Sequence, residues 1–130
     1  MPPPKAAPPL ARERLEKARE SKRLILDAGS NTLSLEITGD DGKLRDLPTG
    51  LDHATRVEER FVIREGDPLS AEASFRWDRS LGRGAWGARV ISGVTMRADD
   101  AGFVVEADME VREGDATVFD RKWRARVPRA

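Results

Sequence analysis

The stretch Ala71-Glu72-Ala73-Ser74-Phe75-Arg76-Trp77-Asp78 decides the fold. Its odd positions are small or apolar and its even positions are charged or hydroxylated, a period of two that belongs to a strand with one apolar face. Three further rows repeat the pattern: Trp86, Ala88, Val90, Ser92, Val94 and Met96; then Phe103, Val105, Ala107, Met109 and Val111; then Phe119, Trp123, Ala125 and Val127. Gly82-Arg83-Gly84, Asp99-Asp100 and Glu113-Gly114-Asp115 separate the rows as turns. One apolar and one polar face predict an antiparallel meander from Ala71 to Val127, packed on one side.

Register follows from parity, because a slip of one residue would turn each core side chain outward. A three-residue loop Glu113–Asp115 pairs Met109 with Phe119 and Val105 with Trp123. It sets Glu106 against Lys122, which is favourable, and Asp108 against Asp120, which is not. Centring an even loop on Asp99-Asp100 pairs Met96 with Phe103 and Val94 with Val105.

Working outward, Thr55–Arg64 reads as a strand with Val57, Phe61 and Ile63 on one side. Leu24 and Leu26, the turn Gly29-Ser30-Asn31, and Leu33, Leu35 and Ile37 read as strand–turn–strand. Gly39-Asp40-Asp41-Gly42 is expected to be a turn before a short strand near Leu44, and Pro48 and Gly50 break the pattern. Residues 10–22 are good helix formers behind Pro9, with Arg12–Glu16 and Glu13–Lys17 at i,i+4. Their apolar stripe is only Leu10, Ala11, Leu15 and Ala18, which predicts a short charged helix leaning on another surface. Residues 1–9 hold Pro2, Pro3, Pro4, Pro8 and Pro9 and read as a linker, leaving 23–130 as the β domain. The expected fold is therefore mainly β, an antiparallel meander or curved sheet of about six to eight strands with one short N-terminal helix.

Composition narrows the chemistry. The 130 residues include no cysteine, no tyrosine and one histidine, and 23 Lys+Arg balance 23 Asp+Glu. Thiol catalysis, disulfides, thiolate metal sites and paired-histidine metal sites are excluded. Balanced charge argues against a general nucleic-acid partner. No run approaches the ~18 apolar residues of a membrane span, and no signal-peptide h-region is present, so a cytoplasmic chain without a membrane or nucleic-acid partner is expected.

Candidate residues are few. His53 follows Asp52, and adjacent residues of an extended chain point to opposite faces, so a Ser-His-Asp arrangement is awkward; none of the seven serines lies in G-x-S-x-G, and a surface-loop histidine is the expectation. Asp40-Asp41 and Asp99-Asp100 lack the regular ligand series of a calcium loop and read as turn aspartates. Lys122, Arg124 and Arg126 form a basic stripe that Glu106 and Glu110 are expected to neutralise. Arg121 falls by parity on the apolar face, where it either meets a carboxylate or reaches the edge of the core. Trp77, Trp86 and Trp123 share that face and either fill a core or line an apolar pocket. With Arg83, whose Gly82-Arg83-Gly84 setting offers backbone N–H groups to an anion or serves as a hairpin loop, they and Arg121 form a candidate interaction or ligand face. Arg-Glu-Gly-Asp occurs at Arg64–Asp67 and Arg112–Asp115, as a duplication or as ordinary hairpin chemistry.

Gly66-Asp67-Pro68-Leu69-Ser70-Ala71, Arg83-Gly84-Ala85-Trp86, Glu113-Gly114-Asp115, and Val118-Phe119 with Arg121, Trp123 and Val127-Pro128-Arg129 together resemble the C-terminal region of CocE/NonD-type hydrolases. These are acyl esterases related to X-prolyl dipeptidyl peptidases. The resemblance runs over about Arg23 to Arg129, with Ala85 where the family usually carries an acid. It implies a non-catalytic C-terminal module, since the family's serine, aspartate and histidine lie in an upstream α/β-hydrolase domain followed by a jelly roll. No catalytic residue carries over, no cofactor or metal is implied, and the implied partner is an α/β-hydrolase or jelly-roll domain of the same or a neighbouring chain, with homo-oligomerisation as a further expectation. A binder of small apolar or anionic ligands is the alternative.

Overall fold

A computed structural model describes residues 6–129; Met1 to Lys5, with the linker prolines Pro2, Pro3 and Pro4, and Ala130 lie outside the described residues. Eight strands follow in chain order: β1 Arg12–Glu16, β2 Arg19–Asp27, β3 Thr32–Asp46, β4 Leu51–Arg64, β5 Asp67–Arg83, β6 Trp86–Asp99, β7 Gly102–Glu113 and β8 Ala116–Pro128. They make one open antiparallel sheet in the order β1-β3-β4-β5-β6-β7-β8, with β2 also on β3. β1 lies against Lys43–Asp46 and β2 against Thr32–Asp40, so the two form one interrupted edge strand. The meander expected from Ala71 to Val127 thus extends over the whole domain.

The helix expected over residues 10–22 is absent; β1 and β2 take its place. Thirteen residues form a marginal helix in water, whereas the open edge of β3 offers partners for nearly every backbone group. Cross-strand pairs, Arg12 Nε to Asp46 Oδ1 at 2.8 Å and Arg23 to Glu36 at 3.6 Å, replace the i,i+4 pairs.

The expected turn at Gly39–Gly42 is a bulge inside β3, where the pairing to β4 skips from Asp40 to Lys43. Turn chemistry and bulge chemistry coincide there: Asp40 Oδ1 accepts a bond from Gly42 N at 2.9 Å, and Gly42 has φ +70°. The break between β1 and β2 sits against this bulge, so closely that a Cβ on Gly42 would lie 2.2 Å from the Glu16 carbonyl oxygen. The break at Pro48 and Gly50 is present as the Leu47–Gly50 turn, but β4 starts at Leu51, earlier than Thr55.

The parity of the last strands holds while the offsets differ from expectation. Gly114-Asp115 is a two-residue turn, with Gly114 at φ +57°. A bulge at Val118 then supplies the odd residue, so Val111 faces Phe119, Met109 faces Arg121, Ala107 faces Trp123 and Val105 faces Ala125. Glu106 therefore meets Arg124 rather than Lys122, and Asp108 meets Lys122 rather than Asp120. The turn between β6 and β7 is centred on Asp100-Ala101, which pairs Met96 with Val105 and Val94 with Ala107. The two Arg-Glu-Gly-Asp copies sit in different frames: Glu65-Gly66 forms one turn and Gly114-Asp115 the other. Local turn chemistry, and no repeated unit, accounts for them.

The expectation of a sheet packed on one side is not met within the chain. No hydrophobic side chain is buried among the described residues, and Leu24 and Leu26 are 70% and 71% exposed. The element expected to lean on the sheet became its edge, so the described residues form no second layer.

Replacing Gly42 by Val is expected to cost about 1–3 kcal/mol through the positive φ and the clash with β1. Hydrogen exchange should show the loss confined to Arg12–Glu16 and the adjoining end of β3, with β5–β7 unchanged.

Candidate functional site: the uncovered apolar face

Direct cross-strand partners share a face, so the registers assemble the surface. Leu24, Leu35, Phe61, Ala73, Met96, Val105 and Ala125 form an unbroken apolar row from edge to edge. Beside it lie Leu26, Leu33 and Ile63 on one half and Ala98, Phe103 and Val127 on the other. A groove of about 290 Å³ lined by Phe61, Ile63, Ala73, Met96 and Phe103 runs through this region. Phe61 meets Phe75 edge-on at 5.5 Å between centroids, and Phe75 stacks on Trp77 at 5.8 Å.

All five residues singled out from the sequence lie on this face, but they do not converge. Trp77 belongs to the central aromatic group. Trp86 and Arg83 pair across β5 and β6 at the far end, where Trp86 Nε1 donates to Glu113 Oε1 at 3.0 Å. Trp123 and Arg121 are on edge strand β8, with the Arg121 guanidinium 5.3 Å from the indole centroid. The residue flagged as either carboxylate-paired or core-edge is thus a cation over a ring, with no carboxylate within ion-pair distance among the described residues. None of the three tryptophans lines the 290 Å³ groove.

Besides Glu20 and Lys22 of β2, Arg12 and Arg14 of β1, Asp46 and Glu113, two charged residues of the central strands occupy the apolar face: Glu59 beside Ile37 and Phe75, and Arg79 beside Thr55 and Val90. Neither has an ion-pair partner within 4.0 Å among the described residues. The parity rule that exposes Arg121 also exposes both, since each is an odd position inside an apolar row.

His53 is in β4 rather than a loop, on the opposite face from Asp52, as extended-chain geometry requires. Its Nε2 has no hydrogen-bond partner and lies 3.6 Å from Asp46 Oδ1, so it holds no serine hydroxyl. Among the described residues no three His, Asp or Glu side chains group for a metal. Asp40 and Asp99 both cap backbone N–H groups of their own turns.

The opposite face is laced with ion pairs. Arg45 binds Asp52 through two bonds of 2.6 and 2.9 Å, Arg89 binds Asp78 in the same bidentate way, and Arg126 holds Asp99. The basic stripe on β8 is neutralised by Glu106 against Arg124 and Asp99 against Arg126; Glu110 pairs with Arg112 instead. The Arg45 guanidinium holds the Asp52 carboxyl below its usual range, and Arg64 and Arg89 do the same for Asp67 and Asp78. Asp99 is lowered first by the Ala101 N–H and then by Arg126.

Comparison with protein-family models, with curated proteins and with solved structures returns no match.

Each lowered carboxyl contributes stability that is fully present above its unfolded pKa and lost as pH falls through the folded value. The urea midpoint is therefore expected to be flat from about pH 7 to pH 5 and to fall below about pH 4, where unfolded aspartates begin to bind protons. Asp78→Asn should make that fall shallower.

Proposed function

We propose that the chain is a non-catalytic β module that acts by packing its apolar face against another folded surface. The observation that carries this reading is the continuous apolar face on a sheet with no buried hydrophobic side chain among the described residues. A contiguous apolar surface of this extent marks an interaction site. The resemblance to the C-terminal region of CocE/NonD hydrolases supports the same role and supplies a context, packing beside an α/β-hydrolase or jelly-roll domain. His53, the one histidine of the chain, whose Nε2 has no hydrogen-bond partner among the described residues, supports the non-catalytic part.

A ligand-binding reading draws on the Trp77, Trp86 and Trp123 face, but these side chains stand in three separate neighbourhoods and form no common pocket wall.

At concentrations dilute enough to keep it monomeric, the chain is expected to enhance an apolar-surface fluorophore such as anilinonaphthalene sulfonate. The Phe61→Asp, Met96→Asp variant should lose most of that signal. No enhancement by the dilute wild-type chain would overturn the docking role. Hydrolysis of nitrophenyl esters that survives His53→Ala and repurification would overturn the non-catalytic one.

A further inference from the structure

The polar face carries a groove of about 480 Å³ at its centre, within the range of small-molecule sites. The registers set its walls. Thr38, Glu58, Arg76, Gly93 and Asp108 follow one another across β3 to β7, and Glu36, Arg60, Ser74 and Thr95 form the next row. The short side chains of Ser74 and Thr95, with the bare backbone of Gly93, make a floor between longer charged residues.

Most of the surrounding charges are engaged. Arg23 and Arg60 share Glu36, Arg56 holds Glu58, Arg89 holds Asp78, and Arg97 and Arg124 share Glu106. Arg76 and Asp108 differ. Among the described residues neither has a partner within ion-pair distance, although Glu58 stands opposite Arg76 and Lys122 opposite Asp108.

Gly93, between them, accounts for where the acid points. It pairs with Arg76 and Asp108 without a bulge and has no left-handed φ, so the backbone does not demand glycine. A glycine inside a regular strand costs stability and marks a place of close approach. A Cβ there would stand 2.7 Å from Asp108 Oδ1. The missing side chain thus lets this carboxylate lean over β6, into the groove and away from Lys122. One uncommitted anion and one uncommitted cation then face the same floor from β7 and β5. Their backbones are two strand spacings apart, about 9.6 Å, which one small molecule carrying both charges can bridge.

We propose that this groove binds a small zwitterion of the α-amino acid class. The Arg76 guanidinium takes the carboxylate, a match of planar fork to planar acceptor, and Asp108 accepts from the ammonium. Ser74 and Thr95 offer hydroxyls beside them. A ligand of a single sign would engage only half of the pair. Every Phe and Trp of the chain lies on the opposite face, so no ring is present to stack on a sugar or a nucleobase. The site is on the other side of the sheet from the docking surface and does not depend on it.

Amide chemical shifts of the full chain, titrated near neutral pH with a panel of the common α-amino acids, test the proposal. At least one is expected to give saturable shifts at Ser74, Gly93, Thr95 and Asp108 with a Kd of about 1 mM or tighter. The deamino acid and the decarboxylated amine of that amino acid, each keeping one charge, should bind the wild-type chain about tenfold more weakly or worse. Arg76→Gln and Asp108→Asn should each weaken binding about tenfold, with the shifts of the apolar-face amides retained as the sign of an intact fold. No saturable shift with any amino acid, or equal affinity for the one-charge analogues, would overturn the proposal.

Discussion

The sheet rests on backbone pairing between neighbouring strands, and its apolar face has nothing from its own chain to lie against. Full burial of a leucine, isoleucine or phenylalanine stabilises by about 1.5–3 kcal/mol. Phe61, Phe75, Met96 and Phe103 obtain only part of that from one another. Three or more strands with a hydrophobic face can be stable on their own, and a further layer would add burial that this face lacks. On the docking role proposed above, a partner supplies the layer that the described residues do not form.

The opposite face shows a complementary economy. Arg45–Asp52, Arg89–Asp78, Arg97–Glu106 and Arg126–Asp99 tie adjacent or nearby strands across the solvated side. Exposed pairs of this kind contribute little individually. Their value lies in register and solubility: they make this face unsuited to apolar packing and leave the other as the surface available for docking.

Much of this architecture was legible in the sequence. The period-two rows from Ala71 to Val127 fixed the strands, their common face and the parity of their pairing. Turn chemistry locates most hairpins to within a residue or two, while the same chemistry at Gly39–Gly42 makes a bulge inside β3. Offsets escaped because a bulge at Val118 adds a residue that no turn signal announces. The helix expected over residues 10–22 rests on a real propensity that the open edge of β3 overrides. The absence of a second layer was hidden for the same reason. Of the site, parity puts Arg121 and the tryptophans on the face where the registers hold them, and the same alternation marks Glu59 and Arg79. Spatial convergence, which decides between a pocket and a broad surface, depends on strand order and register together.

A nitroxide scan along β5 tests the docking role most directly, since the chain has no native cysteine to interfere. Labels placed singly at Ala71, Ala73 and Phe75, and at Glu72, Ser74 and Arg76, would be compared for access to a water-soluble relaxation agent at micromolar concentration. Shielding at the odd positions with open even positions is the expected result. Equal access at both sets would contradict a covered apolar face.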